Sequence, residues 1–448
     1  MTATTEHDVV VIGSGVGGLV AAAQLVQKGY RPLVLESTDR LGGRFSTIEE
    51  DGFRIPTGAI AIETGGPFFE TFQELGIDPD LRVPKPAVRV RIRGREITAG
   101  APAWELMIKK VSKTAGRVAE GLRTTTAEEG RGFTIEEWAK KYTRSKTIIS
   151  LFQALAASMF TVNADELPAE AFFRNLRETG GYKAFGFAPL GNVVIADAMA
   201  AAIEGLGGSV RKGWTATGIE IEHGRAVAVT ATGPDGASHR LPAMAVVSDV
   251  GPRNTARLVA GTEVESAFNA RVAGTQPTSM LAISFSTTED ILPKCPGMIN
   301  FTDTQRLCSL GNLTALCPDL APPGRTLYDA YSVPRPSIGG EFDVEFERAL
   351  LEEDLRRHLP GYDRAEVVHF KAMRGDRTPA QQSAPGNEPD VRTTVPNLVD
   401  VGDGVKPLGW IGTSGCAKTA HLAVEALLEE LPSTGSEARR ASARASMV

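Results

Sequence analysis

The ordered pattern of the chain begins with an apolar run, Asp8-Val-Val-Val-Ile12, which breaks on Gly13-Ser14-Gly15-Val16-Gly17-Gly18 and resumes at helical spacing up to Gly29. A short continuous apolar run bounded by glycines predicts a buried parallel strand, and GLVAAAQLVQKG predicts a helix capped at Gly29. Leu33 to Leu35 predicts a second strand. Farther along, Trp104 to Ala119, Thr134 to Tyr142, Ile148 to Phe160 and Pro168 to Glu178 are patterned as helices, with short strands around Val88 to Thr98. Asn192 to Leu206 is an apolar helix ended by Gly207-Gly208, and Ile219 to Val229 alternates like strand around a His223-Gly224 hairpin turn. Ala245 to Asp249 predicts another buried strand that ends at a polar rim. Met280 to Phe285 and Met298 to Phe301 predict strands, and Phe342 to His358 a helix. After Asn397 to Val401 comes a glycine-rich loop through Gly415, then a helix from Cys416 to Leu431.

Strand, glycine turn, helix and strand at the start, with similar pieces near the middle and the end, predict an α/β fold in which a Rossmann-like domain with a parallel sheet is assembled from separated segments. The expected nucleotide domain comprises 1–70, 190–260 and 391–432. Residues 71–189 and 261–390 form an inserted α+β substrate domain, and 433–448 (STGSEARRASARASMV) a disordered tail.

Composition narrows the partners more than the fold. With 448 residues and 42% hydrophobic content the chain has ample core, and a net charge of −6 argues against nucleic acid, which needs a clustered positive face. The densest basic stretch, Arg82 to Arg95, alternates charged and apolar residues, so it reads as a strand with one solvated face, an anionic membrane surface being the alternative. The four cysteines are far apart and form neither a disulfide framework nor a metal motif, and no metal site is expected. Neither a signal peptide nor an apolar run of ~18 residues is visible, so the expectation is cytoplasmic, with peripheral membrane contact left open.

The opening glycines carry the first candidate chemistry. They serve a tight turn, a close approach of backbone to pyrophosphate and close packing of helix on strand, and Glu36 is placed to accept from a ribose hydroxyl. Ser37, the Leu41-Gly42-Gly43-Arg44 passage and Thr57-Gly58-Ala59 return to the same site.

The combination of the first glycine motif, Leu41-Gly42-Gly43-Arg44, Gly207-Gly-Ser-Val210 and Val401-Gly402-Asp403-Gly404 resembles FAD-dependent amine oxidoreductases, especially their phytoene desaturase-like branch, and spans nearly the whole chain in order. The resemblance implies FAD. It implies that Gly43 and Arg44 reach the pyrophosphate or the flavin side, that Ala216 makes a backbone contact to adenine, and that Asp403 with Gly402 meets the ribitol chain. It also places Trp410-Ile411-Gly412 and the following helix beneath the flavin pyrimidine, where a helix N-terminus would stabilise charge on the reduced ring. The family's covalent cysteine precedes that helix, whereas Cys416 lies on it, so FAD is expected to be noncovalent.

Flavin chemistry requires few protein groups, because the cofactor carries the reaction. The catalytic candidates are Lys406, Trp410 and Tyr182. Lys406 would polarise a flavin oxygen or bind an acidic substrate, although a solvated loop lysine is the plainer reading. Trp410 would form a cavity wall or simply pack. Tyr182, in an aromatic, glycine-rich loop, would donate to a carbonyl or act as acid or base, against an ordinary structural tyrosine. His421 reads as helix packing.

These features lead to an FAD-dependent dehydrogenase or desaturase that takes hydride from carbon in a small cyclic, terpenoid or polyene substrate, within a mainly apolar cavity bearing one or two polar anchors. A flavin amine oxidase is the main alternative, disfavoured because Trp410 lacks a visible second ring. A redox-neutral isomerase and a noncatalytic flavin scaffold remain further alternatives. The electron acceptor is not legible, and a homodimer is left open.

Overall fold

The structure, a computed structural model, describes residues 7–98, 115–178, 184–376 and 378–431. Tyr182, the 433–448 tail and Trp104 to Thr114 of the first helix-like stretch lie outside the described residues.

Strand Val9–Ile12 occupies the middle of a five-stranded parallel sheet in the order Leu398–Asp400, Ala245–Ser248, Val9–Ile12, Pro32–Glu36, Ser209–Lys212. Val9 and Val11 pack on one side with helices Val16–Gln27, Asn192–Gly205 and Gly412–Glu430. Val10 and Ile12 pack on the other with Ile219 and Val229 of an antiparallel meander, Thr215–Glu222, Arg225–Thr232 and Ser238–Pro242. Covered on both faces, the strand has no polar position, which is why it reads as an unbroken apolar run. The hairpin turn falls at the expected place: His223 and Gly224 both have positive φ, 50° and 72°, as a two-residue hairpin loop requires.

A seven-stranded mixed sheet forms the second body of structure, ordered Glu366–Met373, Met280–Thr287, Thr326–Ser332, Leu307–Asn312, Met298–Phe301, Val88–Ile92, Arg95–Thr98. Ile283, Phe285, Ile299 and Leu310 pack on Leu351 and Leu355 of helix Val344–His358. Toward the opposite face, Val90 meets Leu151, and Tyr331 meets Ala157, both on helix Lys146–Phe160. That helix joins Ile135–Tyr142 and Ala169–Glu178 in a cluster around Trp138, whose ring meets Phe152 and Phe173 edge-on. Thr134 starts the first of these with a capping box closed by Glu137, satisfying two otherwise orphaned N–H groups.

Two sequence expectations are corrected. The charged side of Val88–Ile92 is not a solvated face: Arg89 and Arg91 are largely buried and pair with Glu96, and Arg91 also donates to the His358 carbonyl and lies over Phe301. Packing near the end of helix Val344–His358 takes the place of solvent. The closing helix starts at Gly412 rather than Cys416, so the final glycines of the supposed loop are its first turn.

Candidate functional site

Parallel pairing puts the residues that follow each strand side by side at one edge of the sheet. Gly13 follows Ile12 with φ of +98°, a conformation that favours glycine. Asp249 follows Ser248, and its N–H donates to the Ile12 carbonyl at 2.8 Å. From there the Asp249 side chain reaches the glycine turn and accepts from Gly18 N–H at 2.9 Å. A Cβ on Gly15 would lie 2.4 Å from Asp249 Oδ2, one on Gly402 2.3 Å from Oδ1, and one on Gly17 2.6 Å from the Gly402 nitrogen. Two glycine turns from opposite ends of the chain therefore form one cradle at the start of helix Val16–Gln27, an arrangement suited to an anion. Burial pushes the Asp249 carboxyl up to about 7 against the opposing effect of the Gly18 N–H. The sequence reading marked a polar rim here but missed Asp249, whose role depends on strand pairing across more than two hundred residues.

Beside the cradle, Glu36 ends its strand buried, with Oε2 accepting from Ser14 Oγ at 2.6 Å and Oε1 from Thr38 N–H and Oγ1 at 2.9 Å each. Ser37 Oγ also approaches it at 3.4 Å. Trp214 N–H donates to the Glu36 carbonyl at 2.8 Å, which brings Ala216 and its strand alongside. Gly42 N–H reaches the Ser14 carbonyl at 3.0 Å, and Thr57 Oγ1 donates to the Gly43 carbonyl at 2.8 Å. A Cβ on Gly58 would stand 2.6 Å from the Arg44 carbonyl. Every described residue that the sequence assigned to the adenosine and pyrophosphate end thus lies in one connected patch.

Arg44 and Asp403 hold each other. The guanidinium grips the carboxylate at 2.5 and 2.8 Å and donates to the Ala380 carbonyl at 2.8 Å. Burial alone would raise the Asp403 pKa, but Arg44 outweighs it and holds the carboxyl below its ordinary range. Burial likewise opposes the charge on Arg44, yet Asp403 raises its pKa. The pair links the second glycine passage to the closing loop as a bidentate unit.

Beyond this pair lies a cavity of about 200 Å³. Ile60, Met159, Phe185, Met298, Trp410 and Ile411 supply most of its apolar wall, with Gly412 and Ser414 from the start of the closing helix. Trp410 is therefore a wall residue, and it is not the only ring, because Tyr331 and Phe185 arrive from distant strands. Glu63 also lines the cavity, accepting from Thr413 Oγ1 at 2.6 Å and Ser414 Oγ at 3.2 Å. The helix start assigned to flavin charge thus already faces a carboxylate, a favourable pairing with the helix dipole. Sequence reasoning missed Glu63, a single acid in an otherwise apolar segment.

Lys406 departs from the solvated reading. It is 3% exposed, and its amine donates to Gln381 Oε1 at 2.9 Å. Gln381 in turn donates to the Phe160 carbonyl at 2.8 Å and Thr161 Oγ1 at 2.9 Å, so Lys406 ties the closing loop to the helical cluster. Burial pushes the Cys416 thiol up to about 12, the reverse of an activated thiolate. No group of His, Cys, Asp and Glu suited to a metal occurs among the described residues, and no helix described is long and apolar enough to cross a membrane.

Known proteins match this arrangement. The chain matches the family described as flavin containing amine oxidoreductase over residues 16–428, and it belongs to that family. Its fold is that of an oxidoreductase from Methanosarcina mazei, with a TM-score of 0.82 and 25% identity over 93% of this chain and 100% of that one. An uncharacterized protein of Methanocaldococcus jannaschii is 23% identical over 91% of this chain and 96% of its own length. A phytoene desaturase from Fusarium fujikuroi is 44% identical, but over 71 residues only, 16% of this chain and 12% of that protein. The protein is a flavin-dependent oxidoreductase, and the residues fit the cofactor: two glycine turns and a helix start brought together at the sheet edge, with the Arg44 guanidinium, held by Asp403, beside them.

Proposed function

We propose that the protein is a dehydrogenase that holds FAD noncovalently and removes hydride from a carbon of a small, mainly apolar substrate, leaving a double bond. The observation supporting this is the cavity: about 200 Å³, walled largely by aliphatic, thioether and aromatic side chains, and ending at Trp410, Ile411 and Gly412. Such a space suits a compact hydrocarbon body better than an extended polyene. The local likeness to a phytoene desaturase is consistent with chemistry at carbon. When bound, the flavin supplies the hydride acceptor. The protein's own groups orient the substrate: Trp410, Phe185 and Tyr331 confine it, while Glu63 is the carboxylate within reach of a proton released on the cavity side.

A second reading has specific support. Glu63 together with the rings of Trp410 and Tyr331 in one cavity meets two requirements of amine recognition, a carboxylate and more than one aromatic wall. The second ring absent from the sequence around Trp410 is supplied from strand Thr326–Ser332.

Anaerobic mixing of the holoenzyme with saturated cyclic ketones, terpenoids, carotenoid precursors and amines separates the two. Bleaching of the flavin by a carbon substrate, with an alkene recovered, is expected. Bleaching by amines alone would replace the dehydrogenase reading with an oxidase; rearrangement of substrate without bleaching would indicate an isomerase.

A further inference from the structure

The basic stretch Arg82 to Arg95 is only partly absorbed by the fold. Arg89 and Arg91 turn inward to Glu96, but the two strands that carry them close on the turn Arg93-Gly94, with φ of 49° and 75°. Positive φ at both positions makes this a tight two-residue loop, and it leaves Arg93 and Arg95 exposed at the tip. Arg93 Nε donates to Thr147 Oγ1 at 3.2 Å, which sets the tip against the start of helix Lys146–Phe160. Residues directly opposite each other share a face, so Arg95, paired with Ile92, stands on the side of the sheet that packs on this helix through Leu151. Lys146 opens the helix and Arg144 precedes it by two residues. Lys141 lies in the last turn of helix Ile135–Tyr142, its amine over the ring of Phe133, which is 38% exposed.

Arg93, Arg95, Lys141, Arg144 and Lys146 are all exposed, and none has an ion-pair partner among the described residues. The carboxylates of the same elements are engaged elsewhere: Glu96 with Arg89 and Arg91, Glu136 with Lys140, and Glu137 in the Thr134 capping box. Asp303, beside Ser150 of the helix, accepts from the Thr302 hydroxyl. Arg144 and Lys146 also sit at the positive end of a helix dipole, where a cation is unfavourable, and Ser145 makes no capping hydrogen bond there. In a chain of net charge −6, unpaired cations gathered on one face against the local dipole have a physical use in a surface contact. We propose that this face docks on the anionic headgroups of a lipid bilayer. Flexible Lys and Arg side chains attract such a surface without needing a shaped partner, and the Phe133 ring supplies an apolar edge at the interface. An acidic protein would require an apolar interface core, for which the described residues of the cluster offer this one ring. The same helix carries Ser158 and Met159 to the cavity wall, about 20 Å along its axis from Lys146. Docking would thus hold the cavity near the phase into which an apolar substrate partitions, a link that rests on reading the cavity as the substrate site.

The test is cosedimentation of the holoenzyme with vesicles of phosphatidylcholine alone and of phosphatidylcholine mixed equally with phosphatidylglycerol, with polyglutamate as a competing acidic polypeptide. Binding to the anionic vesicles only, lost at ~0.5 M salt, is expected. The double variant Arg95→Gln, Lys146→Gln is expected to bind them about twenty-five-fold more weakly, roughly fivefold for each cation removed. Its flavin content should be unchanged and its Tm equal to or above that of the parent. Failure of the parent to bind anionic vesicles, equal binding to neutral ones, or undiminished binding by the double variant overturns the proposal. Capture by polyglutamate without vesicle binding would overturn it in favour of an acidic protein. Flavin reduction by a soluble substrate, measured without vesicles, reports separately on the dehydrogenase reading, so failure of one is distinguishable from failure of the other.

Discussion

The cradle and the cavity are built on opposite plans. At the cradle, backbone does most of the work: glycine turns, a helix start and strand ends converge, and its polar side chains, the buried Glu36 and Ser14 and the partly buried Arg44 and Asp403, are partnered within the protein. At the cavity, side chains from distant segments do it: Glu63, Phe185, Met298, Tyr331 and Trp410 meet there from separate elements. A region that holds a cofactor can be specified by backbone geometry at fixed local spacing, whereas a region that confines a substrate is specified by which side chains the fold brings together.

Disrupting the Arg44–Asp403 pair tests the cradle hardest. Arg44→Leu leaves the Asp403 carboxylate largely enclosed without its cation; because the Arg44 side chain is about a third exposed, the expected cost is cut from the ~3–5 kcal/mol of a fully buried pair to roughly 2–3 kcal/mol, measured by urea unfolding together with loss of bound flavin. Gly18→Ala comes next: its Cβ would stand 2.2 Å from the Gly13 carbonyl oxygen, and the resulting shift of turn against helix is expected to cost up to about 3 kcal/mol and to lower flavin content on purification.

Asp249 gives the cradle a pH dependence. Its folded-state carboxyl titrates at about 7, whereas an unfolded aspartate titrates near ~4. Between those values the folded protein binds more protons, so stability is greatest below ~4, falls as the pH rises, and levels off above 7. Asp249→Asn is expected to remove this slope, gaining up to about 4 kcal/mol at pH 8 relative to the parent in urea unfolding, three pK units at about 1.4 kcal/mol each. Flavin should also bind more tightly at pH 8, since the neutral side chain no longer repels pyrophosphate.

The smallest expected effect lies in the cavity. Glu63→Gln keeps an acceptor for Thr413 and Ser414 but removes the charge, so KM for any amine substrate should rise about tenfold, the equivalent of ~1.4 kcal/mol. KM for a neutral carbon substrate should change little. Equal changes for both classes would assign Glu63 to support of the helix start rather than to substrate.

The same contrast explains what the sequence revealed. Gly13 to Gly18, Glu36, Gly42 to Arg44 and Gly402-Asp403 were readable because backbone geometry imposes residue types at fixed local spacing. Strand and helix positions were readable for a related reason, periodic burial, as at Val9–Ile12 and Asn192–Gly205. Where a role arises only from distant strands meeting, periodicity carries no signal. Asp249 and Glu63 are single polar residues within or beside apolar runs, and Tyr331 supplies a ring that Trp410 lacks among its sequence neighbours. Lys406 and the Arg89–Arg91 stretch were read as solvated because charge usually faces water, yet Gln381 and Glu96 give them partners inside.

The division into a cofactor cradle and a substrate cavity is tested most directly by obstructing the cavity alone. Met159→Trp places a large ring in the wall far from the glycine turns; the measurement is the anaerobic rate of flavin reduction by the best substrate of the parent enzyme, at equal flavin content. The account expects full flavin occupancy with reduction slowed at least about a hundredfold, equivalent to ~2.7 kcal/mol. Reduction at the parent rate with the cavity obstructed would contradict it and place the chemistry elsewhere.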